Sequence, residues 1–157
     1  MDVRKAATTD IQAAVELAEA TRRQLQKYQP TFWRKAAHSA PATEKFFTRL
    51  LIESDTVFLV AIESGQLQGF LIARKFPAPA VFDPGGETYL IDDFCVLEPR
   101  LWLSIGEALL SHASTLIHEH GGTQIVVVCA DRDLAKTEML RRSDLTIASN
   151  WWTKPLG

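Results

Sequence analysis

Two adjacent carboxylates, Asp92 and Asp93, interrupt an apolar stretch of the chain between Ile91 and Phe94. An acid among apolar neighbours needs a partner or a task, and one such task is to take the proton that an attacking amine must lose. Successive side chains of a strand point to opposite faces, so we expect only one of the two acids to face a given cleft. The alternative for each is a structural carboxylate that caps backbone amides or pairs with an arginine.

The turn after this stretch has features of an anion-binding site. Ser104 and Glu107 have the spacing of a capping box, which predicts a helix that begins at Ser104. The first amides of such a helix have no partner, and together with the positive helix end they attract a phosphate or pyrophosphate. Gly106 in the first turn would leave room for that anion. A serine cap and a glycine also occur at such turns for packing reasons alone, so both interpretations stay open.

Helices and strands must position these residues, and the pattern of apolar residues predicts both. Helices are predicted over residues 9–28, 43–53, 104–120 and 134–143. Strands are predicted over residues 2–7, 56–62, 67–75, 88–96, 124–129 and 145–153. The continuous apolar run 124–129 is typical of a strand that is covered on both faces.

The order of these elements predicts the fold class α/β (α+β). Strands 56–62 and 67–75 form an antiparallel hairpin, whereas strands 88–96 and 124–129 are joined by a helix and make a right-handed parallel unit. A mixed, mostly antiparallel sheet with helices on both faces follows. With 157 residues and 46% hydrophobic content, the chain suits a single domain spanning residues 1–157.

Composition argues against several classes of partner. The net charge of −2 disfavours nucleic acid, and the adjacent Arg22 and Arg23 indicate a solvated helix face. No apolar run approaches the roughly 18 residues of a membrane span, and the amino terminus lacks an apolar signal region, so we expect a cytoplasmic protein without a membrane partner. Cys95 and Cys129 stand in apolar runs typical of buried free thiols, and no set of residues predicts a metal site.

Residues 92–110, DDFCVLEPRLWLSIGEALL, resemble the acetyl-CoA motif of the GNAT superfamily. In that motif a strand ending in valine leads through a proline-containing turn to Arg/Gln-x-x-Gly-x-Gly/Ala and a helix. Val96, Pro99 and Gly106 stand where the pattern expects them, as do Ala108, Leu109 and Leu110. Ser104 stands at the first glycine and Leu101 at the Arg/Gln position. The order of elements along nearly the whole chain also resembles this family.

The resemblance implies a single-domain GNAT-like acyltransferase with acetyl-CoA as cosubstrate. Pantetheine would lie between the strand around Val96 and strand 124–129 and pair with the backbone of residues 94–96. The implied CoA-binding residues are Phe94, Cys95, Val96, Leu101, Trp102, Leu103, Ser104, Ile105, Gly106 and Asp133. The acceptor amine would attack the thioester directly, with Asp93 as the preferred base, three residues before the valine of the pattern, and Asp92 as the alternative.

The resemblance also marks a missing acid. Many family members have a tyrosine that protonates the departing thiolate, and Leu140 stands at that position. Either Tyr28 or Tyr89 substitutes for it, or water protonates the thiolate. A different chemistry, acyl transfer through Cys95, is disfavoured because its strand reads as buried and the nearby histidines read as surface residues.

In the family layout, Tyr28, Phe32 and Trp33 border the acceptor pocket; core or lid packing is the alternative. The predicted function is therefore N-acetylation of a primary amine, on a small molecule or a protein. The alternative function is a non-catalytic acyl-CoA-binding or protein-interaction domain. Trp151 and Trp152 are neighbours in the last predicted strand, which predicts a homodimer that uses one of the two indoles.

Overall fold

The computed structural model describes the whole chain, Met1–Gly157, as one five-stranded sheet with four α-helices. The strands are β1 (Asp2–Lys5), β2 (Thr56–Glu63), β3 (Gln66–Lys75), β4 (Glu87–Val96) and β5 (Gly122–Val127). The helices are α1 (Ile11–Tyr28), α2 (Ser39–Leu50), α3 (Glu107–Glu119) and α4 (Leu134–Arg142). No helix combines the length and the apolar character that a membrane span requires.

The strands follow one another across the sheet in chain order. The pairs β1–β2, β2–β3 and β3–β4 are antiparallel, and β4–β5 is parallel because α3 carries the chain back to the same end of the sheet. The hairpin between β2 and β3 turns at Ser64 and Gly65, whose φ angles of 51° and 76° match the twist of the two strands. The mixed, mostly antiparallel sheet predicted from the sequence is confirmed.

Helices cover both faces of the sheet, as predicted. On one face α1 and α2 pack through an aromatic cluster in which the Phe47 ring lies 5.5 Å from both Phe58 and Phe70. On the other face α3 and α4 pack on alternate residues of β2, β3 and β4, with Leu109 and Met139 fully buried. Burial of these two apolar layers stabilises the sheet from both sides.

The carboxy-terminal strand predicted over residues 145–153 is wrong. Helix α4 ends where Asp144 adopts φ 61° and the Leu145 amide donates to the Leu140 carbonyl, and beyond this cap no residue is in a helix or strand. A strand forms only by pairing, and this segment pairs with none. Trp151 instead packs edge-on against Phe32, with ring centroids 6.0 Å apart.

The prediction that strand 124–129 is covered on both faces is also wrong. β5 is the last strand of the sheet, it ends at Val127, and its outer edge has no strand beside it. Val126 is 37% exposed, and Thr123 and Gln124 are exposed as well, so β5 is not covered on both faces. The apolar run therefore reflects burial of one face and one edge, and periodicity alone could not separate this case from a central strand.

Candidate functional site

β4 and β5 separate halfway along β4. Their last pair is Ile91 with Val127, and one further bond joins the Val128 amide to the Ile91 carbonyl at 3.0 Å. β4 continues for five residues to Val96 and pairs only with β3 there. The side of β4 that faced β5 is open over these residues, and such an edge can bind an extended chain that carries amide groups.

A β-bulge marks the beginning of this open edge. Leu71 pairs with Phe94 and Ala73 pairs with Ile91, so Asp92 and Asp93 together face Ile72 alone. Ile91 and Phe94 both lie in the apolar layer beneath α3, although an odd separation would put them on opposite faces of a regular strand. Both acids are therefore directed to the α1 side. The expectation that only one could face the cleft was wrong, because the bulge cancels the alternation.

The two acids line a cavity of about 210 Å³ between α1, the open edge of β4 and the start of α4. At about 30 Å³ per water, this is room for an acetyl group together with a small amine. The lining residues are Ala18, Thr21, Arg22, Leu25, Trp33, Asp92, Asp93, Phe94, Cys95, Val128, Ala130, Asp133 and Lys136.

Asp93 is a partly buried carboxylate that is paired with an arginine. Its side chain is 23% exposed and lies 3.1 Å from the Arg22 guanidinium. Burial raises the pKa of Asp93 above its ordinary value, while the charge of Arg22 acts in the opposite direction without cancelling the effect. A carboxylate with a raised pKa holds an abstracted proton better near neutral pH.

Arg22 is held in place by a second layer of contacts. Its guanidinium also bonds Thr43 and lies 3.2 Å from Glu19, which in turn binds Lys35 and Ser39, each at 2.7 Å. Burial alone would raise the pKa of Glu19, but the bonds from Lys35, Ser39 and Arg22 outweigh it and lower that pKa. The sequence interpretation of Arg22 as a solvated residue was wrong. No local signal could have linked it to Asp93, because 71 residues separate them.

The turn after β4 differs from the predicted capping box. Residues Pro99–Leu101 form a 3-10 turn and Trp102–Gly106 a π-helical turn that runs directly into α3. Ser104 lies inside this helical segment, with its hydroxyl 3.4 Å from the Leu101 carbonyl and no capping bond. The helical path begins five residues earlier than predicted, at Pro99, which is suited to a first helical position. The predicted free amides at Ser104 are therefore not a helix end.

Gly106 serves packing in this turn. A Cβ atom at Gly106 would lie 2.6 Å from Cε3 of Trp102, which is a forbidden distance. Trp102 is 5% exposed and packs edge-on against Phe94 with centroids 4.8 Å apart, so it belongs to the core together with Ile105. Only Leu103 and Ser104 of the predicted CoA-binding turn are exposed, and Leu101 is half-buried.

We therefore expect Gly106→Val to destabilise the unliganded protein. The added side chain must displace the Trp102 ring, and overpacking of this kind typically costs about 1–3 kcal/mol. For a chain of this size that lowers the melting temperature by roughly 2–12 °C, at about 2–4 °C per kcal/mol. Thermal unfolding of Gly106→Val beside Ser104→Ala, which changes an exposed neighbour, measures the effect. Equal melting temperatures in the two variants would show that Trp102 moves aside without cost.

The remaining predicted residues divide between core and cavity. Cys95 is buried beneath α1, and burial raises the pKa of its thiol to about 11, which makes it a poor nucleophile. Val96 lies in the opposite apolar layer. Asp133 is the cap of α4, accepting the Lys136 amide at 3.2 Å, and it lines the cavity. Leu140 is buried in the core.

Of the three aromatic residues predicted to border the acceptor pocket, only Trp33 lines the cavity. Phe32 is 49% exposed and stacks edge-on against Trp33 at 5.2 Å. Tyr28, the last residue of α1, is not among the residues that line the cavity.

A second cavity, of about 240 Å³, lies beside the carboxyl end of α2 and the end of α3. Its titratable residues are Lys5, Glu53 and His120, and it contains no pair of acids. The two cavities are similar in size, so chemistry distinguishes them. The bulge, the two acids and the open strand edge all belong to the cavity beside β4.

No protein-family model and no curated protein matches the sequence. Solved structures do match. A mutant of the BH1408 protein from Bacillus halodurans has a TM-score of 0.85 at 16% identity over 99% of both chains. A predicted acetyltransferase from Clostridium acetobutylicum, solved with acetyl-CoA, has a TM-score of 0.72 at 17% identity over 98% of this chain and 95% of its own. The chain has the GNAT fold.

Aminoglycoside 6'-N-acetyltransferase from Acinetobacter haemolyticus shares the GNAT fold over the full length of both chains, with a TM-score of 0.72 at 14% identity. The fold expected from residues 92–110 and from the order of elements is therefore confirmed. At such identities the backbone is similar, whereas most of the side chains differ.

Proposed function

We propose that this protein is a cytoplasmic N-acetyltransferase that transfers the acetyl group of acetyl-CoA to a primary amine by direct attack. The observation that carries the proposal is the open edge of β4 with Asp92 and Asp93 at its bulge. The edge suits the amide groups of pantetheine, and the acids suit an amine that must lose a proton. The GNAT fold of solved acetyltransferases supports the same conclusion by analogy.

The charges along β4 favour one orientation of the proposed acetyl-CoA ligand. Its phosphates are anionic, so Asp92 and Asp93 would repel them from the bulge end of the edge. The phosphates are thus expected beyond Val96, at the turn that begins with Pro99. Arg100 in that turn is exposed and pairs only with the exposed Glu98, at 2.6 Å, so its guanidinium is available to a phosphate. The thioester then lies towards the bulge, beside the cavity.

In the proposed reaction the acceptor nitrogen attacks the acyl carbon of the thioester. The proton that the amine loses passes to Asp93, the carbon–nitrogen bond forms, and the carbon–sulfur bond breaks with its electron pair on sulfur. Asp92, on the same face of β4, is the alternative base. Arg22 keeps Asp93 in place and limits the rise of its pKa.

The cavity also indicates what kind of amine fits. Two carboxylates attract a cationic ammonium group, and Trp33 and Leu25 offer apolar surface beside them. The acceptor is therefore proposed to be a primary amine with an apolar or aromatic part, on a small molecule or on a protein. Release of the CoA thiol from acetyl-CoA, followed with small amines and with peptides that carry free amino groups, tests the proposal. Saturable, amine-dependent release is expected.

A second candidate is a non-catalytic acyl-CoA-binding or protein-interaction domain. It is favoured by Leu140, which puts an apolar, buried side chain where many GNAT acetyltransferases have a tyrosine acid. Binding of acetyl-CoA without thiol release in the presence of every amine would favour this candidate over the enzyme.

The carboxy-terminal segment supports a homodimer as a further proposal. Trp151 and Trp152 are 83% and 92% exposed, and the outer edge of β5 has no strand beside it. Exposed indoles and an unpaired strand edge are both features of contact surfaces. We expect a mass of twice 17.5 kDa by light scattering at micromolar concentration, and a shift towards the monomer in Trp152→Ser. A monomeric parent protein would contradict this expectation.

A further inference from the structure

Lys136 is a buried cation without an acidic partner. Lys136 is 6% exposed, and no carboxylate lies within ion-pair distance of its amine. The other buried charged residues, Asp10 and Glu19, are both ion-paired. Lys136 is also the third residue of α4, where the positive end of the helix disfavours a cation. Burial and the helix both act against this ammonium group, so packing alone is a poor reason for it.

The amine of Lys136 lies at the open edge of β4. Nζ donates to the Phe94 carbonyl at 3.3 Å, and it lies 5.1 Å and 5.2 Å from the ring centroids of Phe94 and Trp102. The lysine thus reaches across the gap from α4 to a β4 carbonyl that no strand pairs with. Its contacts with the two rings hold the ammonium group in the cavity by cation–π attraction.

The proposed direction of acetyl-CoA would put its sulfur near this amine. With the phosphates at the turn after Val96 and the acyl group at the bulge, the thioester would pass Phe94 on the open side of β4. The amine that bonds the Phe94 carbonyl would then lie beside the carbon–sulfur bond that must break. The other titratable groups lining the cavity are Asp92, Asp93 and Cys95 from β4, Arg22 from α1, and Asp133 at the start of α4.

We propose that Lys136 is a catalytic residue whose ammonium group contacts the sulfur of acetyl-CoA and stabilises the CoA thiolate as it leaves. This inference rests on the proposed acetyl transfer. As the nitrogen–carbon bond forms, the carbon–sulfur bond breaks, its electron pair goes to sulfur, and the amine proton goes to Asp93. The sulfur keeps this electron pair as a thiolate, which pairs with the ammonium group of Lys136. Lys136 thereby stabilises the leaving thiolate, which the apolar side chain of Leu140 cannot do.

Free CoA is the probe that tests this inference without an acceptor. The thiol of CoA bound to the parent protein is titrated by the ultraviolet absorbance of its thiolate, with CoA-free protein as the blank because Cys95 and Cys129 also absorb. An opposite charge within about 4–6 Å typically lowers an acid pKa by roughly 1–3 units. We expect the pKa of the bound thiol to lie below that of free CoA, and to rise by about a unit or more in Lys136→Met. Lys45→Met, the same change on the exposed side of α2, should leave it unchanged.

Turnover gives a second readout. Removing one preorganised electrostatic contact to a developing charge typically lowers kcat by roughly a hundredfold or more. We expect that loss in Lys136→Met with little change in the KM for acetyl-CoA, and partial recovery in Lys136→Arg. If the thiol of CoA bound to the parent protein has the same pKa as free CoA, the proposed role of Lys136 is overturned, whether or not Lys136→Met folds. If the parent protein still turns over in that case, the proposed function stands. If CoA does not bind the parent protein, the role of Lys136 and the proposed function are both overturned.

Discussion

Asp93→Asn is expected to lower acetyl transfer by roughly a hundredfold or more, the usual loss when a general base is removed. The asparagine can still accept the bond from Arg22, so the cavity should keep its shape. Binding of acetyl-CoA, measured by thermal shift, should change little because the base acts in the chemical step. Steady-state kinetics with an accepted amine gives the rate.

Asp92→Asn is the matched control, since it makes the same change on the same face of the bulge. A loss of rate in Asp92→Asn with an unimpaired Asp93→Asn would transfer the role of base to Asp92. The pH dependence gives a second check. Burial raises the pKa of Asp93, so the rate should fall as pH drops through a pKa above the ordinary value. Arg22→Gln removes the charge that opposes this rise, and the fall should then begin at a higher pH.

Ser104→Asp is expected to abolish much of the stabilisation that acetyl-CoA gives. At about a hundred times its dissociation constant, a ligand stabilises a protein by roughly 2.7 kcal/mol, which is about 5–11 °C for a chain of this size. Ser104 is exposed in the turn where the phosphates are proposed to lie. A carboxylate there should weaken binding roughly tenfold through repulsion, which is about 1.4 kcal/mol, because one charge pair at close range amounts to about 1–4 kcal/mol.

Ser111→Asp makes the same change on the exposed face of α3, away from this turn, and should leave the acetyl-CoA shift intact. The unliganded melting temperature of Ser104→Asp should change little, since Ser104 is exposed and makes no capping bond. This pair is a cleaner test than Gly106→Val, in which Trp102 packing and ligand approach would change together. Equal acetyl-CoA shifts in both aspartate variants would mean that the phosphates lie elsewhere.

Turn residues and apolar periodicity predicted some of the helices and strands but not all of them. The hairpin at Ser64 and Gly65 and the strand–turn–helix unit from β4 into α3 follow from turn residues and apolar periodicity, which act within a few residues. The segment 145–153 has strand-like composition but lacks a partner, and β5 looks like a central strand but ends the sheet. Both errors concern which strands pair with each other, and the pattern of residues within one segment does not show its pairing partners.

From the residue order alone it followed that two acids precede a valine-ended strand, a proline turn and a helix, and the resemblance of these residues to the GNAT motif predicted the fold. Only the folded chain shows how those residues are arranged. A bulge against Ile72 turned Asp92 and Asp93 to the same face, and Arg22 reached Asp93 from a helix far away in the chain. Gly106 packs against Trp102, so a side chain has no room there. Lys136 on α4 donates to the Phe94 carbonyl. The bulge, the Arg22–Asp93 pair and the Lys136–Phe94 bond each join segments that lie far apart in the chain, so the residues around any one of them do not reveal the contact.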